Sequence, residues 1–233
     1  MIRSFAVKFE NAAVSLAKPV QQSLTIPFTD DVISSDNNRP DGNMTNGLSY
    51  PAELIPAVVT SEDINFNMGS TADGQKNVVT AKGQKINLPA GDFNKIYILA
   101  AATEDTKGDL KIGNQIIKLS VQGWSGWIGQ HYNRTLTEKN TKVTEISNAY
   151  SKQDIIAWYA SHRHSPKAND AYQYSYLYKY EINLPKGTKN IVLPKNENIK
   201  IFAITVANKT NEDVTPLQPL YDDFKNNKPV QLR

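Results

Sequence analysis

The chain has no cysteine, which excludes a disulfide framework, thiol chemistry and any thiolate metal site. Long apolar runs are missing too. The longest, residues 96–102 and 201–207, are strand-sized and far below the roughly 20 residues a membrane helix needs, so no transmembrane helix and no membrane partner are expected. Charge of one sign is scarce: 26 basic and 23 acidic residues leave a formal net charge of +3. With lysines spread along the sequence, that balance offers no focused field for nucleic acid, which is not an expected partner. No serine stands in a nucleophile-elbow sequence and no glycine-rich phosphate loop is present. Carboxylate pairs such as Asp222-Asp223 lie in the tail, so no catalytic residue is assigned.

What the chain does have is concentrated between Trp158 and Tyr180, where two of the three histidines and six of the eleven tyrosines fall. Tyr172, Tyr174, Tyr176, Tyr178 and Tyr180 alternate with Gln173, Ser175, Leu177 and Lys179. That period of two predicts a β-strand with one aromatic face. Further strands are predicted at about 5–9, 23–28, 64–68, 77–81, 84–88, 95–102, 110–112, 115–122, 154–160, 190–193 and 200–207, with Gly, Pro, Asn and Asp turns between most of them. Many short strands without helical periodicity predict an all-β fold, an antiparallel β-sandwich of jelly-roll type. The expected organisation is opening strands over 1–28 that end a preceding β region, a sandwich over 29–207, and a surface-wrapping or frayed tail over 208–233. A strand beginning directly after Met1, without a signal peptide, suggests a piece of a longer polypeptide. Residues 29–60 and 123–152 read as two long loops, of the length that is usually functional.

Three stretches carry whatever chemistry exists. Residues 39–53 are dense in Asp, Asn and Gly, with Asp41 and Glu53 as candidate ligands of a structural calcium ion; a set of Asx turns closing the loop is the plainer reading. Trp124, Trp127, His131 and nearby glycines suit the mixed apolar and polar surface of a sugar ring, and equally suit plugging one end of the sandwich. Finally, His162, Arg163 and His164 form a polar run between two strands. On an extended backbone the two imidazoles project to one side, as metal ligands would, with His131 as a third; ordering a loop by hydrogen bonds is the alternative. A cupin-type glutamate four or five positions later is absent, since Ala168 and Asn169 stand there.

The ordered segments SYPAELIP at 49–56, GQKINLPAGD at 83–92, WYASHRHSP at 158–166 and IFAITVA at 201–207 together resemble the C-terminal β region of bacterial glycoside hydrolase family 38 α-mannosidase-like proteins. The resemblance implies a galactose-binding-like accessory sandwich, periplasmic or extracellular, with the zinc-dependent catalytic domain elsewhere in the same polypeptide. Carbohydrate and that catalytic domain are then the expected partners. Trp124, Trp127, His131, His162, Arg163, His164 and Tyr172 are the expected sugar contacts. A purely structural sandwich and, more remotely, a histidine-based metalloenzyme are the competing expectations.

Overall fold

The computed structural model describes residues 18–126 and 154–209, and the backbone of two further strands at 132–137 and 140–146. Among these residues the chain is all-β, an antiparallel β-sandwich, with one 3-10 turn and no α-helix. The larger sheet runs β1 (Val20–Ser23), β16 (Lys195–Asn208), β8 (Lys95–Ala102), β14 (Asn169–Asn183), β13 (Ile155–His164), and β6 (Val79–Lys82) pairs with the first part of β16. The smaller sheet runs β10 (Gln115–Val121), β9 (Thr106–Ile112), β15 (Asn190–Val192), β7 (Lys85–Asn87). β1 pairs with β16 from Val20↔Asn208 to Ser23↔Thr205, while the opening strand expected at 5–9 lies outside the described residues.

Burial patterns explain the layering. In β8, KIYILAAA is buried at every position after Lys95, as expected of a central strand covered on both faces. β9 and β10 alternate instead, with Leu110, Ile112, Leu119 and Val121 inward and Lys107, Asp109, Lys111, Lys118 and Ser120 outward. One face of the smaller sheet is therefore wet. The other cover of the larger sheet is built from residues 29–60, which sequence reading treats as a loop, and the strand predicted at 64–68. It contains β2 (Ile33–Ser34), β3 (Tyr50–Pro51), β4 (Val58–Ser61) and β5 (Ile64–Asn67), of which only β5 is foreseen.

Tyr50, fully buried, anchors this cover: its ring packs on Trp124, Phe202 and Trp158 at centroid distances of 4.8, 5.2 and 6.2 Å, and its hydroxyl donates to Tyr176 O at 2.8 Å. The β4–β5 hairpin turns at Glu62 and Asp63, both at positive φ (48° and 63°). That suits a tight hairpin and costs non-glycine residues about 1–2 kcal/mol each. Compensation comes from Glu62, whose carboxylate pairs with the fully buried ammonium of Lys179 on β14, a charge the core would otherwise hold unpaired.

Two expectations are corrected here. Residues 123–152 are not one long loop: β11 (Tyr132–Thr137) and β12 (Asn140–Ile146) form an antiparallel hairpin. Their sequences are too polar to show an apolar alternation, the signal that strand prediction relies on. Nor do His162, Arg163 and His164 form a loop, because β13 continues through His164. Pairing to β14 on one side and a two-way backbone bridge from His164 to Ser49 on the other satisfy its backbone (N···O 2.9 and 3.0 Å).

Candidate functional site

The bridge between Ser49 and the end of β13 builds the candidate site. Four residues after Ser49, the 3-10 turn Ala52–Leu54 carries Glu53, and the indole N–H of Trp158 donates to Leu54 O at 3.2 Å, fixing that turn against β13. Glu53 thereby reaches both histidines. Its Oε1 lies 3.0 Å from His162 Nε2 and 3.3 Å from His164 Nε2. The two imidazoles stack at 5.5 Å between centroids, two residues apart on one strand face. One donor atom from each of the three residues lies within 4.8 Å of the others.

His164 is fully buried and His162 largely so, whereas Glu53 stands at the rim. Behind His164, Nδ1 is 3.0 Å from Ser34 Oγ, which is 2.6 Å from Ser49 Oγ. A hydroxyl gives or accepts, so this serine pair fixes the ring's orientation and leaves Nε2 aimed at the carboxylate. Asp36 Oδ1 lies 3.4 Å from His164 Nε2 and also takes Arg39 Nη2 at 2.5 Å, while Arg39 Nε donates to Asn169 Oδ1 on β14 at 2.8 Å. Chemically, the cluster offers two borderline nitrogen donors and one or two carboxylates, the donor set of a divalent transition metal.

The other expected site residues scatter. Trp124 is 2% exposed and packs on Tyr50; the stacking on sugar expected of it is corrected, because a ring sealed in the core has no face left for a ligand. Arg163 projects away from the histidines and is engaged with Asp170 Oδ2 (3.0 Å) and Ser125 Oγ (3.4 Å). Trp127 and His131 lie outside the described residues. The expected calcium pair divides: Asp41 accepts the Gly74 N–H at 2.6 Å, while Glu53 faces the histidines. Asp41 also sits beside Asp31, whose carboxyl is pushed up first by burial and then, against hydrogen bonds from Ile33 N and Asn77, by the charge of Asp41.

Tyr172 is exposed, at positive φ (63°), in a register break where Tyr172, Gln173 and Tyr174 of β14 oppose Ser161 alone. Such bulges re-aim side chains. Tyr159 on β13 is likewise exposed, and no sequence signal separates it from the buried tyrosines. Two concavities, of about 350 and 450 Å³, lie away from the histidines, against β9 and β10. The second gathers Lys107, Lys111, Lys118 and Lys195 around Asp109, a local concentration of charge that the linear spacing of lysines hides.

Ser34, Ser49 and Asp36 are the site residues that sequence reasoning misses, and Glu53, paired with Asp41 in the sequence reading, meets the two histidines. Nothing in the linear pattern relates Glu53 to a histidine 109 residues away. No curated protein matches this sequence. Residues 20–210 match the AziU2-like beta-sandwich domain, a span that covers every described strand and the whole histidine–glutamate cluster, and the chain belongs to that family.

Proposed function

We propose that this chain is a non-catalytic accessory β-sandwich module that contacts carbohydrate through the β13–β14 hairpin. The carrying observation is that Tyr159 and Tyr172 are 65% and 70% exposed on that hairpin, whereas Tyr176, Tyr178 and Tyr180 of β14 are buried. An exposed phenol offers an apolar face and a polar edge, which is the chemistry of sugar stacking. The bulge that throws Tyr172 outward fits a surface shaped for contact rather than packing. Placement within an α-mannosidase-like glycoside hydrolase is part of this proposal; it rests on the resemblance of the 49–56 and 158–166 segments.

The test is a titration of the full chain with mannose, α-linked mannobiose and galactose, followed by tyrosine resonances. Saturable shifts that Tyr159→Ala and Tyr172→Ala abolish, with thermal stability unchanged, are the expected result. Surface changes of this kind alter stability by no more than about 0.5 kcal/mol. No saturable response at millimolar sugar overturns the proposal.

A further inference from the structure

We infer that Glu53, His162 and His164 bind one divalent transition-metal ion, and that zinc is the ion the site fits. The inference is independent of the carbohydrate reading. Zinc with bonds of ~2.0–2.2 Å in a tetrahedron sets its ligand atoms about 3.3–3.5 Å apart. The carboxylate already stands at such a separation from His164 Nε2, 3.3 Å, and lies slightly inside it at His162 Nε2, 3.0 Å, so an entering ion has to part that pair by a few tenths of an ångström. The third edge, between the two imidazoles, is at most 4.8 Å. Closing it takes rotation of side chains, and His162, the less buried of the two histidines, is the one with room to move, its Nδ1 partner Ser161 Oγ lying on the neighbouring residue at 3.3 Å.

The surroundings are those of a metal ligand set. Ser34 Oγ at His164 Nδ1 is positioned to accept that N–H, which directs the Nε2 lone pair to the ion, and Ser49 continues the chain of hydrogen bonds. Asp36 Oδ1 lies 3.4 Å from His164 Nε2 but is held by Arg39 Nη2 at 2.5 Å, which leaves the fourth position to water. Nitrogen donors outnumber oxygen in the three-residue cluster, which disfavours calcium and magnesium. Ferrous iron accepts two histidines and a carboxylate as well, yet binds a given site more weakly than zinc. The ion would tie an outer strand of the larger sheet, β13, to the turn after β3, a contact between segments 109 residues apart.

The experiment uses the full untagged chain, stripped with chelator and titrated separately with zinc, cobalt, ferrous iron and calcium. One equivalent of zinc is expected, with a raised melting temperature and, for cobalt, the intense visible bands of four-coordination. Glu53→Ala, at the rim, and His162→Ala, at the less buried of the two histidines, are expected to weaken zinc by at least about 100-fold, more than the loss of an outer-shell partner costs. Tyr159→Ala and Tyr172→Ala are expected to leave zinc binding unchanged, which separates this outcome from that of the sugar titration. Less than stoichiometric zinc at micromolar concentration, calcium binding more tightly than zinc, or full zinc affinity in folded Glu53→Ala and His162→Ala protein would each overturn the inference.

Discussion

Removing one hydroxyl, by Tyr180→Phe, is expected to destabilise the protein at neutral pH and stabilise it in alkali. Tyr180 is buried; its hydroxyl donates to Asp154 Oδ2 at 2.7 Å and accepts the Gln122 N–H at 3.1 Å. Burial, then the charge of Asp154, pushes its phenol far above the ordinary value of 10.0. Tyr50, fully enclosed, is pushed well up by burial too, and Tyr176 is pushed up to about 12 by burial with Tyr174 beside it. These groups stay protonated in the fold and ionise in the unfolded chain at about 10. The unfolded state then binds fewer protons, so stability is intact below about pH 10 and falls as pH rises towards the folded values. Tyr50 and Tyr180 together remove about 2.7 kcal/mol per pH unit in that range, from ~1.36 each.

The variant loses a hydrogen bond to a carboxylate, about 1.5–3 kcal/mol at pH 7. It also loses ~1.4 kcal/mol per pH unit of alkaline slope, so its stability curve crosses that of the unsubstituted protein about one to two units above 10, near pH 11–12. Urea unfolding followed by tryptophan fluorescence, repeated from pH 7 to 12, measures both curves. Parallel curves through that range would refute the reasoning. So would full ionisation of all eleven tyrosines, read from tyrosinate absorbance, before the sheet signal is lost.

Gly42→Ala is expected to lower stability by about 2–3 kcal/mol, because a Cβ there stands 2.8 Å from Ile33 N and closer still to the Ile33 carbonyl, backbone that cannot step aside without moving β2. A urea midpoint within error of the unsubstituted protein would contradict the packing described for β2. Ser34→Ala removes the partner of both Ser49 and His164 Nδ1; it is expected to cost about 1–3 kcal/mol and to weaken zinc by roughly 10–100-fold. Unchanged zinc affinity in the folded variant would show that the serine pair does not orient the ring.

Much of the fold is legible in residue order because strands announce themselves where burial is periodic or continuous. The tyrosine alternation locates β14, and the apolar runs at 96–102 and 201–207 locate two central strands of the larger sheet. β13 is underestimated at its end, since SHRHS reads as polar loop while its backbone is paired on both sides. β11 and β12 are missed outright because their few apolar residues, such as Leu136, Val143 and Ile146, make no alternation. The tyrosines show the limit most clearly: sequence shows that they alternate, yet not that Tyr159 and Tyr172 stay in solvent while Tyr176 and Tyr178 are sealed.

By itself, then, the sequence determines an all-β sandwich without thiols, and that two histidines two residues apart share a face wherever their backbone is extended, because period-two geometry is a local property; that β13 runs on through them is decided by the structure. Which carboxylate meets them is a long-range property. Only the pairing of Ser49 with His164, the parallel contact of β2 with β3 and the burial of Tyr50 bring Glu53, Ser34 and Asp36 to the imidazoles. The same tertiary packing takes Trp124 into the core and commits Arg163 to Asp170. Local propensity fixes where side chains point along a strand, but the partner across the gap is chosen by which sheets and loops close over one another to exclude water from a common core.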